Sequence, residues 1–426
     1  MVVGIIVYQF ELSVDESGEI EPNFKELASE FVDEFKEMPM YEIISINDLF
    51  SIYYSHTTGA RAGFEGEKKT KMRNFFVGRL KESPYQVISY FREGLGGKHY
   101  MTISIFKMTE DSERFESIVH VLAGKMDVTL DRMAKGNLKS IAFVQKIEKA
   151  IKSDIKYAIF QIERLTNLSK RQKVGLLYLT PERETTLEML RSGPVGRTAL
   201  QYELEKIKQN PNIDLILRPF TELNLIRRDW GEGVKDKRSG IIWGQGEYIF
   251  LVKDIVLARK PPKTIIDKMS KNEDYGSKYM EMLKDFYTDY IQNVDYVEES
   301  KLLSRFLLNP DINDLLALLG NRSYAREKMP KVMSEFSDVE QVIEDLIDSK
   351  IVAAIEDSAG REWICLLGEI TPIMVFPEYM VKNIQKRLMK QDRNLVDMHE
   401  HDPLTDEVAR KSLELLEASY GEKLEF

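Results

Sequence analysis

Apolar positions recur along this chain at two periods, and the period assigns the elements. Residues 2–10 (VVGIIVYQF) are a short β-branched and aromatic run, which predicts a buried strand. Over 24–35 (FKELASEFVDEF), Phe24, Leu27, Phe31 and Phe35 recur every three or four residues and predict a helix. Strand-like pieces follow at 42–46, 50–54, 85–91 and 100–106. The last of these, YMTISIF, alternates at period two and predicts a half-exposed antiparallel strand. Helical spacing returns over 112–133, where Phe115, Ile118, Leu122, Met126, Leu130 and Met133 share a face. This order predicts a small α/β domain with helices packed on an antiparallel sheet.

From 138 to 168 a stripe of Ile141, Val144, Ile147, Ile151, Ile155, Ile162 and Leu165 runs without a proline or glycine. A helix of that length extends roughly 45 Å at about 1.5 Å per residue. It predicts a connector or a pairing surface, with an ordinary long helix lying on its own domain as the alternative.

Beyond this helix a segment occurs twice. Glu247-Tyr248-Ile249-Phe250-Leu251-Val252-Lys253-Asp254-Ile255 reappears as Glu362-Trp363-Ile364-Cys365-Leu366-Leu367-Gly368-Glu369-Ile370. Each copy follows a helical pattern and a charged turn, and each runs into prolines (Pro261-Pro262; Pro372 and Pro377). Helix, short strand, turn, strand is the layout of a winged helix. In the first copy helical patterns at 183–191 and 197–209 precede a third at 213–226, where Pro219 requires a kink or an early end. Its wing, 230–246, is long, glycine-rich and basic. The second copy has helical patterns at 314–319, 331–336 and 337–350, with Ser337 and Glu340 spaced as a capping box. Strands at 351–355 and 363–367 follow, joined by a tight turn at 356–361.

The resulting expectation is an α+β chain of six segments. They are an α/β domain (1–136), a connector helix (137–170), winged helix 1 (171–262), a helical linker (263–308), winged helix 2 (309–377) and C-terminal helices (378–426). The linker places Tyr279, Leu283, Phe286 and Tyr290 on one face, and the closing helices fall at 378–390 and 405–419.

Composition narrows the function classes. The opening apolar run lacks a basic flank and a small-residue cleavage site, so no secretory signal is expected. No run approaches the roughly 18–20 apolar residues of a membrane span. A single cysteine, Cys365, excludes a disulfide framework and a cysteine-based zinc site. A cytoplasmic setting is expected. The net charge of −10 argues against a general nucleic-acid coat. That charge is uneven: 183–262 holds 14 Lys/Arg against 11 Asp/Glu, whereas 309–377 holds 6 against 13.

Candidate chemistry is sparse. No phosphate-binding loop is present, and Gly94-Leu95-Gly96-Gly97-Lys98 joins two strand patterns with no helix behind it, as a hairpin turn would. His399-Glu400-His401-Asp402 concentrates metal-capable side chains, but Pro403 opens the next helix and a solvated loop is expected. His56, His99 and His120 are scattered, with no nucleophile–base pairing in their sequence contexts, and Cys365 belongs to a core strand. No cofactor, metal site or catalytic residue is expected. Arg227, Arg228, Lys235, Lys237 and Arg238, beside Trp230 and Trp243, are the candidate nucleic-acid contacts, interrupted by Asp229, Glu232 and Asp236. Residues 65–79 (EGEKKTKMRNFFVGR) form a second basic stretch, either a solvated loop entering a strand or a partner-contacting surface.

The N-terminal order, from VVGIIVYQF through a helix and strands to two closing helices, resembles the longin/roadblock class of small α/β domains. That resemblance implies binding to small GTPases or pairing with a like domain. Followed by winged helices, the layout also resembles the nitrogen permease regulator-like proteins, which regulate Rag-type GTPases. There a Lys-Lys-x-x-Arg-Asn loop supplies an arginine finger; here Lys68-Lys69-Thr70-Lys71-Met72-Arg73-Asn74 is similar, with one residue more before Arg73. The resemblance implies that Arg73 stabilises charge on a GTPase-bound phosphoryl group in trans. Tandem winged helices in an acidic chain also resemble ESCRT-II subunits, which are assembly modules. The leading expectation is a non-enzymatic scaffold or regulator binding protein partners, a small GTPase or another longin or winged-helix subunit among them. A winged-helix DNA-binding transcriptional regulator is the alternative, and an enzyme with a site between domains is a third.

Overall fold

The opening apolar run becomes β1 (Val2–Val14), whose Val2, Val3, Ile5, Ile6, Val7 and Phe10 are fully buried. The computed structural model describes residues 2–14, 20–57, 74–94, 98–110, 112–136, 140–235, 242–329, 339–393 and 405–420. The fold is α+β and divides into two compact units, Met1–Asn167 and Leu168–Phe426.

In the first unit β1 is joined by β2 (Ile20–Phe31), α1 (Met40–Ile43), α2 (Ile46–Thr57), β3 (Phe75–Arg79), β4 (Tyr85–Glu93), β5 (Lys98–Lys107), α3 (Glu116–Lys135) and α4 (Ile141–Thr166). The strands form one antiparallel sheet in the order β2-β1-β5-β4-β3. On one face Phe10, Phe91 and Ile103 pack with Ile43, Ile52 and Tyr53 of α1 and α2. On the other, Tyr90 and Arg92 of β4 bind Asp127 of α3. Phe106 stacks on Phe115 at 5.1 Å, at the entry to α3.

Three expectations fail in this unit, each for an identifiable reason. The helix expected at 24–35 is strand β2 followed by a short 3-10 turn at Asp33–Phe35. Val7 faces Ala28 and Tyr8 faces Glu26, so Leu27 is the extra residue of a β-bulge. The bulge shifts the alternation by one, returning Phe24 and Phe31 to the same face; the spacing imitates a helical period. The strands expected at 42–46 and 50–54 are instead α1 and α2, because Leu49, Ile52, Tyr53 and His56 bury one helical stripe. Short apolar windows carry too little length to separate the two periods. The strand expected to be half-exposed is buried from Tyr100 to Phe106, since helices cover both faces. The polar members of its alternation, Thr102 and Ser104, are small enough to be enclosed.

The hairpin expected at 94–98 is closed by Gly94 donating to the Lys98 carbonyl at 2.7 Å, with 95–97 outside the described residues. The long helix is α4, capped by Ser140. Its Ile147, Ile151, Ile155, Ile162 and Leu165 are buried within the first unit, and Lys156 pairs with Glu30 of β2 at 2.8 Å. Packed this way, α4 is part of the first unit, with Ile141, Val144 and Phe160 left exposed.

The second unit opens with α5 (Lys170–Gly175) and then builds the same arrangement twice. The first repeat is α6 (Pro181–Ser192), β6 (Val195–Gly196), α7 (Arg197–Glu205), α8 (Ile213–Glu222) and β7 (Ile226–Gly231), then a short two-stranded hairpin and a further strand. That hairpin is β8 (Val234–Lys235) with β9 (Ile242–Trp243); β10 is Gly246–Leu251, and β11 (Asp254–Lys260) follows it. Three helices come next: α9 (Lys263–Met269), α10 (Gly276–Asn293) and α11 (Tyr296–Leu308). The second repeat is α12 (Pro310–Leu319), β12 (Tyr324–Ala325), α13 (Val339–Asp348), β13 (Val352–Glu356) and β14 (Glu362–Leu366), with β15 (Glu369–Val375) after it. The chain closes with α14 (Tyr379–Arg393) and α15 (Asp406–Ser419). The helix expected at 331–336 and the cap Ser337 lie outside the described residues.

The repeats match residue by residue. Their sheets run β6-β10-β7 and β12-β14-β13. Val195 pairs with Ile249 as Tyr324 pairs with Ile364. Pro181 and Pro310 each open a helix behind a polar cap, Thr180 or Asn309, and Leu190 and Leu319 are both fully buried. Helix α8 ends at Glu222, within a turn of Pro219; Asn224 then turns left-handed (φ 53°) and Leu225 donates to the Phe220 carbonyl. Helix α13 ends in the same way, with Lys350 (φ 52°) and Ile351 donating to the Leu346 carbonyl.

The strands after the two hairpins pair with each other. β11 and β15 are antiparallel, from Asp254↔Val375 to Lys260↔Glu369, with Leu257↔Pro372 at the centre. Counting on from Glu247 and Glu362, Leu257 and Pro372 are equivalent positions, so the ladder has a pseudo-two-fold axis at its middle. Helices then cross over. Those after β11 cover the second repeat: Tyr279 Oη donates to the Leu366 carbonyl at 2.8 Å, and Tyr275 stacks on Trp363. Those after β15 cover the first: Tyr379 Oη donates to Asp254 at 2.8 Å and Ser419 Oγ to the Val252 carbonyl at 3.0 Å.

Candidate functional site

In both repeats an arginine stands directly after the lone short strand, at the start of the following turn: Arg197 after Gly196, and Arg326 after Ala325. The strand pairing aims each at the hairpin and at the third helix. Arg197 reaches Asp214 of α8 at 2.7 Å and Glu247 of β10 at 3.1 Å. Arg326 reaches Glu340 of α13 at 2.7 Å, Glu362 of β14 at 2.8 Å, and also Glu344. The acid that opens each copy of the repeated segment is therefore the anchor of an ion network. Sequence reasoning marked Glu247 and Glu362 as repeated but missed their arginines; the shared pattern Pro181…Leu190…Arg197 and Pro310…Leu319…Arg326 is the signal that finds them.

The first network has a second cation. Arg228, on β7, binds Asp214 at 2.8 Å and Glu247 at 2.6 Å. Hydrogen bonds from Arg197, then from Arg228, hold the Asp214 carboxyl down at about 2. Hydrogen bonding from Arg228, reinforced by Arg197, also lowers Glu247 below the usual carboxylate range. Both guanidiniums are correspondingly raised.

Of the candidate nucleic-acid contacts, Arg228 thus faces acids of its own repeat. Arg227 is half-buried and donates to the neighbouring Ile226 carbonyl at 3.2 Å. Lys235 ends β8, its backbone paired with Ile242, while Lys237 and Arg238 lie outside the described residues. Trp230 is exposed on β7, and the intervening Asp229 pairs with Lys411 of α15 at 2.7 Å. The third helix of the second repeat carries Glu340, Glu344, Asp345 and Asp348, of which Glu340 and Glu344 pair with Arg326.

Arg73 lies outside the described residues, as do His399, Glu400, His401 and Asp402. The other histidines take packing positions. His56 Nε2 is 2.7 Å from Ser89 Oγ, a Ser–His contact absent from the sequence context, but both residues are fully buried beneath Phe91. His99 stacks on Phe10 and Phe91, and the His120 ring lies 3.9 Å from that of Phe75. Cys365 is fully buried in β14, and burial pushes its thiol up to about 12. Among the described residues no group of three or more metal-capable side chains converges, and no helix is long and apolar enough to cross a membrane.

Comparison of the chain with protein-family models, with curated proteins and with solved structures finds no match.

Proposed function

We propose that this chain is a non-enzymatic, cytoplasmic scaffold or regulator that binds other proteins, its second unit a tandem winged helix and its first a longin-type domain. The duplicated ion network carries this reading. A winged helix that grips DNA turns cations of its third helix and wing toward phosphates. Here Arg197 and Arg228 are held by Asp214 and Glu247, and the corresponding surface of the second repeat is acidic. The neutralised cations of the first repeat offer a polyanion little attraction and the acidic second repeat repels one, while both suit protein partners.

The strand order β2-β1-β5-β4-β3, with α1 and α2 on one face and α3 on the other, supports the longin-type reading of the first unit. A small GTPase, or a second subunit of similar build, is the partner class that reading brings, with Arg73 the residue that would act in trans. Affinity purification of the full chain from its native cells, with mass spectrometry, tests it. Stoichiometric recovery of a GTPase or a winged-helix subunit is expected; a clean monomer would overturn the proposal. DNA binding through Arg227, Arg228, Lys235, Lys237 and Arg238 is the competing reading. It requires duplex binding at low salt that weakens on Arg228→Ala; no binding at low salt excludes it.

A further inference from the structure

The pseudo-two-fold axis makes each repeat a template for the other, and one of their chemical differences falls beside a cavity. In the first repeat Arg191, near the end of α6, makes a bidentate pair with Asp254 of β11, Nε–Oδ2 and Nη2–Oδ1 both at 3.0 Å. Tyr379, from the helix crossing over, donates its hydroxyl to the same carboxylate at 2.8 Å. The equivalent positions of the second repeat are Gly320 after α12, Glu369 of β15 and Thr264 of α9. The acid and a hydroxyl are retained; the arginine and the aromatic ring are replaced by small residues.

Those three residues line a cavity of about 360 Å³, together with Ser169, Asn313 and Asn321. Its volume falls within the roughly 300–1,000 Å³ of small-molecule sites. Glu369 makes no ion pair or side-chain hydrogen bond through its carboxylate among the described residues, whereas Asp254 is fully engaged. Arg171 also lines the cavity; its charge interacts with that of Glu369, but the two do not come within ion-pair distance. Gly320 is helical (φ −64°), and a Cβ built on it meets only ordinary contacts, 3.4 Å to the Leu316 carbonyl oxygen and 3.5 Å to that of Ala317. Neither backbone conformation nor space demands a glycine there.

We infer that this cavity binds a guanidinium group, with Glu369 as the bidentate acceptor and the hydroxyl and amide side chains around it as further acceptors. The ligand stands where the first repeat places its own Arg191. Planar, fork-like donation to a carboxylate is specific to guanidinium, so an ammonium of similar length is a poorer ligand. The group is either a free guanidino compound or an arginine side chain offered by a partner.

The test is titration of the full chain with L-arginine, agmatine, L-lysine and a capped tripeptide containing one arginine, followed by calorimetry and by thermal unfolding. Saturable binding of the guanidino ligands, with a melting temperature that rises with their concentration, is expected, and lysine should bind more weakly. Glu369→Gln should weaken binding roughly 10- to 100-fold, the size of a charge-assisted hydrogen-bond pair. Arg171→Ala should bind at least as tightly, since a like charge is removed. Gly320→Arg should raise the melting temperature without ligand and abolish the response, because it supplies the guanidinium internally. Tighter binding of the tripeptide than of agmatine points to a partner's arginine, and the reverse to a free metabolite. No saturable response of the wild type to any guanidino ligand, or an undiminished response in Glu369→Gln, overturns the inference.

Discussion

Replacing Arg191 by methionine tests whether the first repeat is held together by a buried charge pair. The Arg191 and Asp254 side chains are 16% and 7% exposed, and their two hydrogen bonds are both 3.0 Å long. Breaking a buried pair by removing one partner costs about 3–5 kcal/mol, because the remaining charge is left desolvated. Here the carboxylate would keep two donors, the Tyr379 hydroxyl and the Ile255 amide, each at 2.8 Å. The low end, about 3 kcal/mol, is therefore expected. For a unit of this size that lowers the melting temperature by roughly 6–12 °C. Arg191→Met combined with Asp254→Asn should recover about 2 kcal/mol of the loss, since neither charge is then stranded. The assay is urea and thermal denaturation of the wild type, both single variants and the double. The two units need not unfold together, so transitions are resolved before free energies are compared. A loss below about 1 kcal/mol for Arg191→Met, or a coupling near zero, would refute the claim that burial gives this pair its strength.

Further predictions follow from the same geometry. Arg326→Ala removes a network that is largely solvent-exposed, so its loss should stay within about 1 kcal/mol and shrink further in high salt, measured by urea midpoint. Asp214 and Glu247 have folded pKa values below their unfolded ones, so their stabilisation is present above about pH 4.5 and is lost as pH falls toward about 2. Urea midpoints across that window should fall less steeply in Asp214→Asn than in the wild type. Truncation after Val375 removes α14 and α15, which cover the first repeat; hydrogen exchange should accelerate in β7 and β10 and remain slow in β13 and β14. Cys365, buried with a thiol pushed up to about 12, should resist thiol reagents until the chain unfolds.

How far the fold was legible depended on whether period, length and ends agreed. The helices at 112–133 and 138–168 are long enough for the 3.6-residue period to dominate, and both appear within a few residues of expectation. At 24–35 a single unpaired residue, Leu27, gave a strand the spacing of a helix. No periodicity argument detects a bulge, because the bulge is defined by the partner strand. The Glu247 and Glu362 copies were visible as sequence, but the pairing of the strands that follow them was not. Register between distant strands is set by the neighbours each can bury, and those lie far along the chain. The candidate site behaved likewise. A count of basic residues on the wing identified Arg228 without showing that Asp214, on another element, neutralises it.

The duplication constrains function more through its differences than through its agreement. What the repeats share is what each needs to fold: the buried leucines at Leu190 and Leu319, the left-handed turns at Asn224 and Lys350, and the acid that anchors an arginine. Two equivalent copies joined by a symmetric ladder would present two equivalent surfaces, and a symmetric partner would suffice. The copies instead diverge where side chains meet solvent or a cavity. Arg218 of α8 corresponds to Glu344 of α13, a long connection between hairpin strands to a tight turn, and Arg191 to Gly320. Each difference changes charge or volume between equivalent positions of the two repeats. Because the helices are exchanged across the ladder, neither repeat can move independently of the other's covering helices. On the proposed scaffold reading, a partner engaging one surface meets a unit whose two faces are joined but chemically distinct, an arrangement suited to holding two different partners in fixed relation.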